Sequence, residues 1–535
     1  MDYFLSFLSG ILFFLSFPKF DFSIFSWIAF VPLIYSLLNI FYFSSRQNLK
    51  RVVVCSLITG ITGYFGVLYW IIPTFKQAGE NIFWGLISTF LLSLYCSLYI
   101  LIFSIYEYKN KTILSSSILW IILEYVREKL FSGFPWALLG YSQWKNLPLI
   151  QISEIFGVYV ISFLIIFFNL SLGFFIFELF KLKKIKNSTF INLLLIFIVI
   201  IALNIWGKFR IQQIKKEIEN QKESFTVVIL QGNIDQYKKW DKNYVEEIIE
   251  KYTNLVYSSF NEIEKIKTLP KLTLWIWPES SIPGFLFEEQ KLFNWIKELL
   301  IFTNKKLISY HLLGTVRTDY NDNLYNSAVL VSFKEKDVIV ENIYDKIQLV
   351  PFGEFVPLQN ILGKFINVVN QLGGFSSGNS YTVFEIPLEN SKNNFKFSVL
   401  ICYESIFSKL TTNFVKNKAE FLVNITNDAW FLKTSAPHQH FSFNVFRAIE
   451  NRVYVFRSAN TGISAVISPV GEIEKQTNLF EYDKIVYPVK FYYEKTFYTK
   501  CANYFQILYI LIFIFLHFRR KNYACNNNRD VGRKK

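Results

Sequence analysis

The sequence predicts a multi-span α-helical membrane bundle of about eight helices, joined to one large layered α/β domain. Of 535 residues, 52% are hydrophobic and 19% aromatic against 18% charged, whereas charged residues make up about a quarter of an ordinary globular chain. Long apolar runs fill the first 207 residues. From Phe225 onward the runs shorten and alternate with amphipathic stretches. A mean hydropathy of +0.28 excludes a disordered chain and a purely soluble one.

A helix crossing about 30 Å of hydrocarbon needs about 20 apolar residues. Candidate spans fall at about 3–20, 23–43, 52–73, 82–106, 113–130, 156–180, 189–207 and 503–518. The first and last are short, and the fifth carries Glu124, Arg127 and Glu128. The N-terminal run lacks a basic leader and a small-residue cleavage site, so it reads as a retained helix and not as a signal peptide. Arg46, Lys50 and Arg51, then Lys109 and Lys111, then Lys181, Lys183, Lys184 and Lys186 occupy loops that fall on one side of such a bundle. The tail after 518 adds Arg519, Arg520, Lys521, Arg529, Arg533, Lys534 and Lys535 to that side, while the opposite loops hold mainly Lys19, Lys76 and Lys145. The positive-inside bias then places both termini in the cytoplasm and the 208–502 domain outside. The expected organisation is a bundle over 1–207, an outer domain over 208–502, and a last helix with a basic tail over 503–535.

The same distribution explains the net charge of +15. Lys and Arg concentrate in membrane loops and the tail, and no nucleic-acid partner is expected. Between the fifth and sixth spans, GFPWALLGYSQW (133–144) combines Gly, Pro and two Trp in an irregular stretch. Taken alone it reads as an aromatic-belt loop at the membrane interface. The five Cys form no CxxC pair, and only His438 and His440 lie close together. That HxH reads as structural; no metal and no cofactor are expected.

In the outer domain, TVVILQ (226–231), LTLWIW (272–277), LISYHLLG (307–314), FSVLI (397–401), FLVNIT (421–426), VYVFR (453–457) and ISAVIS (463–468) read as strands. Helical stretches at about 242–267, 288–303, 405–418 and 439–451 separate several of them. Mixed strands and helices over this length suit one layered α/β domain.

Three polar residues stand at or near the ends of apolar runs, where open α/β sheets place ligand sites. Glu279 follows LWIWP, Lys346 lies in VENIYDKIQLVPFGEF, and Cys402 follows FSVLI. An isolated Cys there could equally be a buried inert thiol, and a Glu–Lys pair a surface salt bridge. Gly374-Phe375-Ser376-Ser377-Gly378 matches the G-x-S-x-G pattern of serine hydrolases. That pattern needs a strand before the Ser and a helix after it, and the flanks here read as loop.

The words WPES (277–280), DKIQLVPFGEFVP (345–357) and CYES (402–405), in that order, resemble the Glu–Lys–Cys triad of the nitrilase superfamily. Together with the spans, the chain is similar to the bacterial apolipoprotein N-acyltransferases. GFPWALLGYSQ, LQGNIDQYKKW (230–240), NITNDAWF (424–431) and RAIENRVYVFRSANTGISAVISPVGEI (447–473) extend the resemblance over nearly the whole chain.

The resemblance implies an αββα nitrilase-like sandwich facing the periplasm, on an inner-membrane bundle. It implies Glu279 as general base, Lys346 as fixed cation and Cys402 as nucleophile, with a backbone N–H near Tyr403 helping to hold the oxyanion. Glu354 and Glu404 are implied as supporting carboxylates, Tyr403 and Trp240 as site-shaping aromatics, and the region around the Gly374–Gly378 loop as a mobile lip. The implied donor is a phospholipid, typically phosphatidylethanolamine, and the acceptor the N-terminal amine of a diacylglyceryl-cysteine apolipoprotein; a monomer is expected. A membrane-tethered amidase that passes the acyl group to water shares the triad. A transporter or receptor would require paired charges within the spans.

Overall fold

The computed structural model describes residues 1–43, 48–355, 374–387 and 394–532, with side chains described to residue 519. Two compact units emerge: residues 1–208 together with 501–535, and residues 209–500.

The first unit is helical. Among the described residues, six segments are long and apolar enough to cross a membrane: Ser23–Phe43, Asn48–Leu68, Ile82–Asn110, Tyr159–Leu182, Asn187–Glu219 and Phe497–Arg519. Helix Asp2–Leu15 has 14 residues, which at about 1.5 Å per residue falls short of the hydrocarbon thickness. Helix Ile113–Lys129, the fifth expected span, has 17 residues and carries the three charges. The seventh and last runs continue well past their expected ends: helix Asn187–Glu219 runs on through Gly207 as charged residues replace apolar ones, with no Pro to stop it, and the last helix extends over Phe497–Gly532. Small residues let these helices approach closely. A Cβ on Gly60 would stand 2.6 Å from the Ser97 side chain.

The 133–144 stretch is packed into the helical unit and is not an exposed loop. Trp136, Leu138, Leu139 and Tyr141 are buried, and the charges of helix Ile113–Lys129 hold the stretch in place. Glu124 accepts from the Leu139 N–H at 2.7 Å and from Trp120 Nε1 at 3.0 Å. Arg127 donates to the Trp136 and Ala137 carbonyls at 3.2 and 3.3 Å and to the Tyr64 hydroxyl. Glu128 accepts from Tyr159. Charges of this kind are costly in a membrane interior, and here they satisfy an irregular backbone that helical hydrogen bonding cannot.

The second unit contains two six-stranded sheets. In the first, β1 (Ser224–Gln231), β2 (Leu272–Ile276) and β3 (Ile308–Thr318) are parallel. β4 (Leu324–Lys334), β5 (Asp337–Asp345) and β12 (Asp483–Lys490) join antiparallel, giving the order β12-β1-β2-β3-β4-β5. In the second, β7 (Asn394–Ile401), β8 (Phe421–Thr426) and β9 (Tyr454–Ala459) are parallel. They are flanked by β6 (Phe384–Pro387), β10 (Ala465–Ile467) and β11 (Ile473–Gln476), giving the order β11-β10-β9-β8-β7-β6.

The parallel strands are buried almost end to end, as strands covered on both faces must be. Phe225 of β1 packs its ring against Phe395, Phe421 and Phe456 of the other sheet, and the Ser458 hydroxyl donates to the Leu230 carbonyl. Helices Val245–Lys265 and Gln290–Thr303 cover the outer face of the first sheet through Tyr252, Leu255, Trp295 and Leu299, which pack with Val228, Trp275 and Trp277. Helices Ser408–Lys416 and Ala436–Asn451 accompany the second sheet. The order is αββα.

Candidate active site

The carboxyl ends of β2, β7 and β8 and the end of β5 converge, and the polar residues singled out in the sequence stand there. Glu279 lies three residues past β2, Lys346 directly follows β5, and Cys402 directly follows β7. Glu279 is 7% exposed and Lys346 1% exposed, while Cys402 keeps part of its surface accessible. Cys402 has φ +51°, a left-handed turn that costs a non-Gly residue energy and presents the side chain at the crest of the strand end.

Lys346 Nζ donates to Glu354 Oε1 at 2.8 Å and stands 3.7 Å from Glu279 Oε1. Burial alone would drive the proton from this ammonium, but Glu354, Glu279 and Cys402 outweigh it and raise its pKa. Lys346 is therefore a permanent cation. Asn326 Nδ2, from β4, donates to Glu279 Oε1 at 2.7 Å and to Glu354 Oε1 at 2.9 Å. The Asn427 N–H, just past β8, donates to Glu279 Oε2 at 2.8 Å. Both oxygens of the Glu279 carboxylate are thus oriented. Burial pushes the Cys402 thiol up, and Glu279 and Asp428 add to that more than Lys346 relieves. At rest the sulfur holds its proton, and a thiol in that state reacts as a nucleophile only when a neighbouring base takes the proton.

Glu354 and Glu404 are both in place. The Val350 N–H donates to Glu354 Oε2 at 2.9 Å. Glu404 is fully buried and accepts from the Tyr344 hydroxyl at 2.7 Å and from the N–H groups of Ile347, Gln348 and Ile401 at 2.8, 3.0 and 2.7 Å. Burial pushes its carboxyl up to about 7 against those donors. It joins the segment after Lys346 to the turn that carries Cys402. Tyr403 is buried with its ring edge-on to Phe407, 5.2 Å between centroids. Trp240 closes the short helix Lys238–Trp240 and is 50% exposed.

Several site residues were not singled out in the sequence. Asn326 lies in β4, an element the sequence did not announce. Asn427 is fixed by Gln236 and Asn460, whose side-chain bonds to it are 2.5 and 3.1 Å. His440 reaches the Cys402 carbonyl through Nε2 at 3.0 Å and pairs with Asp428 through Nδ1 at 3.0 Å, and Arg457 Nη2 donates to Asp428 at 2.7 Å. His440 of the HxH is thus tied to the Cys402 backbone. Among the described residues no group of three or more His, Cys, Asp or Glu is placed to hold a metal ion. Among the described residues Ser376 has neither the strand nor the helix of a serine elbow; its N–H donates to the Leu324 carbonyl at 2.7 Å, and the Gly378 N–H to the Lys346 carbonyl at 2.8 Å.

A cysteine, a carboxylate and a lysine at the converging strand ends of an αββα sandwich define a cysteine-dependent acyl-transfer domain of the carbon-nitrogen hydrolase type. Residues 226–491 match the carbon-nitrogen hydrolase family model, and residues 9–171 match the apolipoprotein N-acyltransferase N-terminal domain. The chain is 34% identical to an apolipoprotein N-acyltransferase of Geobacter metallireducens over 97% of its length and 96% of the relative's. It is 32% identical to that of Haemophilus ducreyi over 78% of each chain, and 29% identical to apolipoprotein N-acyltransferase 1 of Treponema denticola over 95% and 94%. The chain belongs to the apolipoprotein N-acyltransferase family, bacterial membrane enzymes of the carbon-nitrogen hydrolase superfamily.

Proposed function

We propose that the protein carries a fatty acyl chain from a phospholipid, typically phosphatidylethanolamine, to the N-terminal α-amine of diacylglyceryl-cysteine in apolipoproteins, through a Cys402 thioester. Glu279 takes the thiol proton as sulfur attacks the ester carbonyl carbon. The developing oxyanion is held by Lys346 and the backbone N–H that follows the nucleophile. The ester C–O bond breaks, Glu279 returns the proton to the departing alcohol oxygen, and a lysophospholipid leaves. The amine then attacks the thioester, Glu279 accepts the amine proton, the C–S bond breaks and the thiol is reprotonated. Glu354 holds Lys346, Glu404 holds the Cys402 turn, and Tyr403 and Trp240 shape the approach. We place the domain of residues 208–502 in the periplasm, on a monomeric inner-membrane bundle of about eight spans formed by 1–207 and 503–535, with both termini cytoplasmic.

The observation that carries this reading is the oriented Glu279 carboxylate, fixed at both oxygens beside a permanent lysine cation and a protonated thiol. That arrangement suits proton transfer coupled to attack. A hydrolase and a transferase share it, and they separate on the lifetime of the thioester. Positioning equivalent to effective molarities of about 10⁵–10⁸ M lets a bound amine outcompete water. With phospholipid alone, Cys402 should hold a long-lived, hydroxylamine-sensitive acyl mass. A diacylglyceryl-cysteinyl peptide with a free N-terminus should discharge it, and the N-acetylated peptide should not. Cys402→Ala should acquire no acyl mass, whereas Ala at positions 55, 96, 501 or 525 should leave loading intact. Rapid release of free fatty acid without any amine would make the protein a hydrolase.

A further inference from the structure

The peptide bond after Cys402 is held from behind. Its carbonyl accepts from His440 Nε2 at 3.0 Å and from the Ser405 hydroxyl at 3.2 Å. A carbonyl only accepts, so Nε2 carries a ring hydrogen here. His440 belongs to helix Ala436–Asn451 and is 1% exposed. Its other nitrogen, Nδ1, faces Asp428 Oδ1 at 3.0 Å. Arg457 Nη2 donates to Asp428 Oδ2 at 2.7 Å and stands 3.2 Å from Nδ1. Arg457 is itself fixed, through Nη1 to the Asn424 side chain of β8 and through Nε to the Ile463 carbonyl at 3.1 Å. Arg457, Asp428 and His440 are all buried. Exchanging buried ion pairs for packed hydrocarbon is often neutral or even stabilising, so stability alone does not account for a polar chain that ends on this one carbonyl.

What that carbonyl controls follows from peptide geometry. The Cys402 carbonyl and the Tyr403 N–H are the two ends of one planar trans peptide and point in opposite directions. Cys402 has φ +51°, a sparsely populated conformation for a non-Gly residue that the surrounding structure must hold. Rotating the peptide that follows would turn the Tyr403 N–H away from the reacting carbon and strip a buried His440 donor of its acceptor. A donor on the carbonyl oxygen also polarises the amide, which strengthens the N–H at its other end. We propose that His440 is a positioning residue of the oxyanion site: acting through the 402–403 peptide, it aims the Tyr403 N–H at the oxygen that becomes negative during acyl transfer. Asp428, clamped by Arg457, orients the imidazole for that task. This inference rests on the acyl-transfer reading for the N–H it acts through, but not on which acyl donor is used.

The test compares two reactions of Cys402 in the full-length protein in detergent micelles, both read by peptide mass spectrometry. Acylation by p-nitrophenyl butyrate passes through a tetrahedral oxyanion. Alkylation by iodoacetamide displaces iodide from a saturated carbon and forms no oxyanion. His440→Leu should slow acylation about 10- to 100-fold, less than the roughly 100- to 1,000-fold that outright loss of an oxyanion donor costs. Its alkylation should match the parent's. His440→Gln, whose amide would donate from a different angle, should fall between the two in acylation and match both in alkylation. If the Leu variant does not fold, the Gln variant decides on the same split. Alkylation that slows in step with acylation would overturn the proposal and make His440 a support of the turn as a whole. Acylation at the parent's rate would overturn it too. A parent that takes the butyryl group but forms no thioester with phospholipid would refute the lipid-donor reading and leave this one standing.

Discussion

Removing the Asn326 amide should slow thioester formation far more than its place outside the triad suggests. One Nδ2 donates to two carboxylates, at 2.7 Å to Glu279 and 2.9 Å to Glu354. Hydrogen bonds to charged acceptors contribute about 1.5–3 kcal/mol each, and two sharing one amide do not add fully. Asn326→Leu should therefore cost about 2–4 kcal/mol of site organisation, and at about 1.4 kcal/mol per tenfold, acylation should slow by roughly 30- to 700-fold. Asn326→Asp keeps the shape but sets a third carboxylate against the other two. At an effective dielectric of about 20, each like-charge contact near 4 Å costs about 4 kcal/mol, so this variant should be slower than the Leu variant. The assay is the rate at which the acyl mass of the full-length protein rises in detergent with phospholipid. An Asp variant that loads at the parent's rate would refute the view that the two carboxylates depend on this shared donor.

Reporter fusions after residue 186 or 525 should behave as cytoplasmic and one within 208–502 as periplasmic; a cytoplasmic signal from the domain would overturn the proposed topology. Burial pushes the Asp428 carboxyl up, but Arg457 and His440 outweigh it and hold it at about 2, below its ordinary 3.8. Its stabilisation is then present above the unfolded pKa and lost as pH falls through about 2. The amount is about 2 kcal/mol, and acid unfolding of Asp428→Asn should lack this component. Gly314→Ala should depress thermal stability and acylation together, since its Cβ meets the Pro278 carbonyl oxygen at 2.1 Å and Glu279 Cα at 2.8 Å; normal acylation by that variant would show that the Glu279 turn has slack.

The strands that carry Glu279 and Cys402 were legible because both are apolar runs ending in a charged or reactive residue, and burial on both faces makes such runs continuous. The hairpin β4–β5 was not. Its connecting residues Glu335 and Lys336 take φ +53° and +70° without the Asn or Gly that normally announces such a turn, and β5 is largely exposed and mixed in polarity. With β4 hidden, Asn326 was hidden too. Glu404 was named only through resemblance, since nothing in CYES says that its carboxylate will meet three backbone N–H groups and a tyrosine, most of them from distant segments. The packing of the 133–144 stretch was not legible on its own, because Trp and Pro next to a membrane span suit an exposed loop as well as a buried fold. The partners that decide, Glu124 and Arg127, lie a full turn or more upstream.

Glu404 has an implication for how this site tolerates change elsewhere in the chain. One carboxylate grips the backbone on both sides of the chemistry, before Cys402 and after Lys346. Nucleophile and cation therefore share a common anchor that does not run through the polypeptide between them. The spacing of the reactive atoms is uncoupled from the length of that intervening chain. A change of length in that chain then leaves the distance on which acyl transfer depends to the two grips of a single side chain.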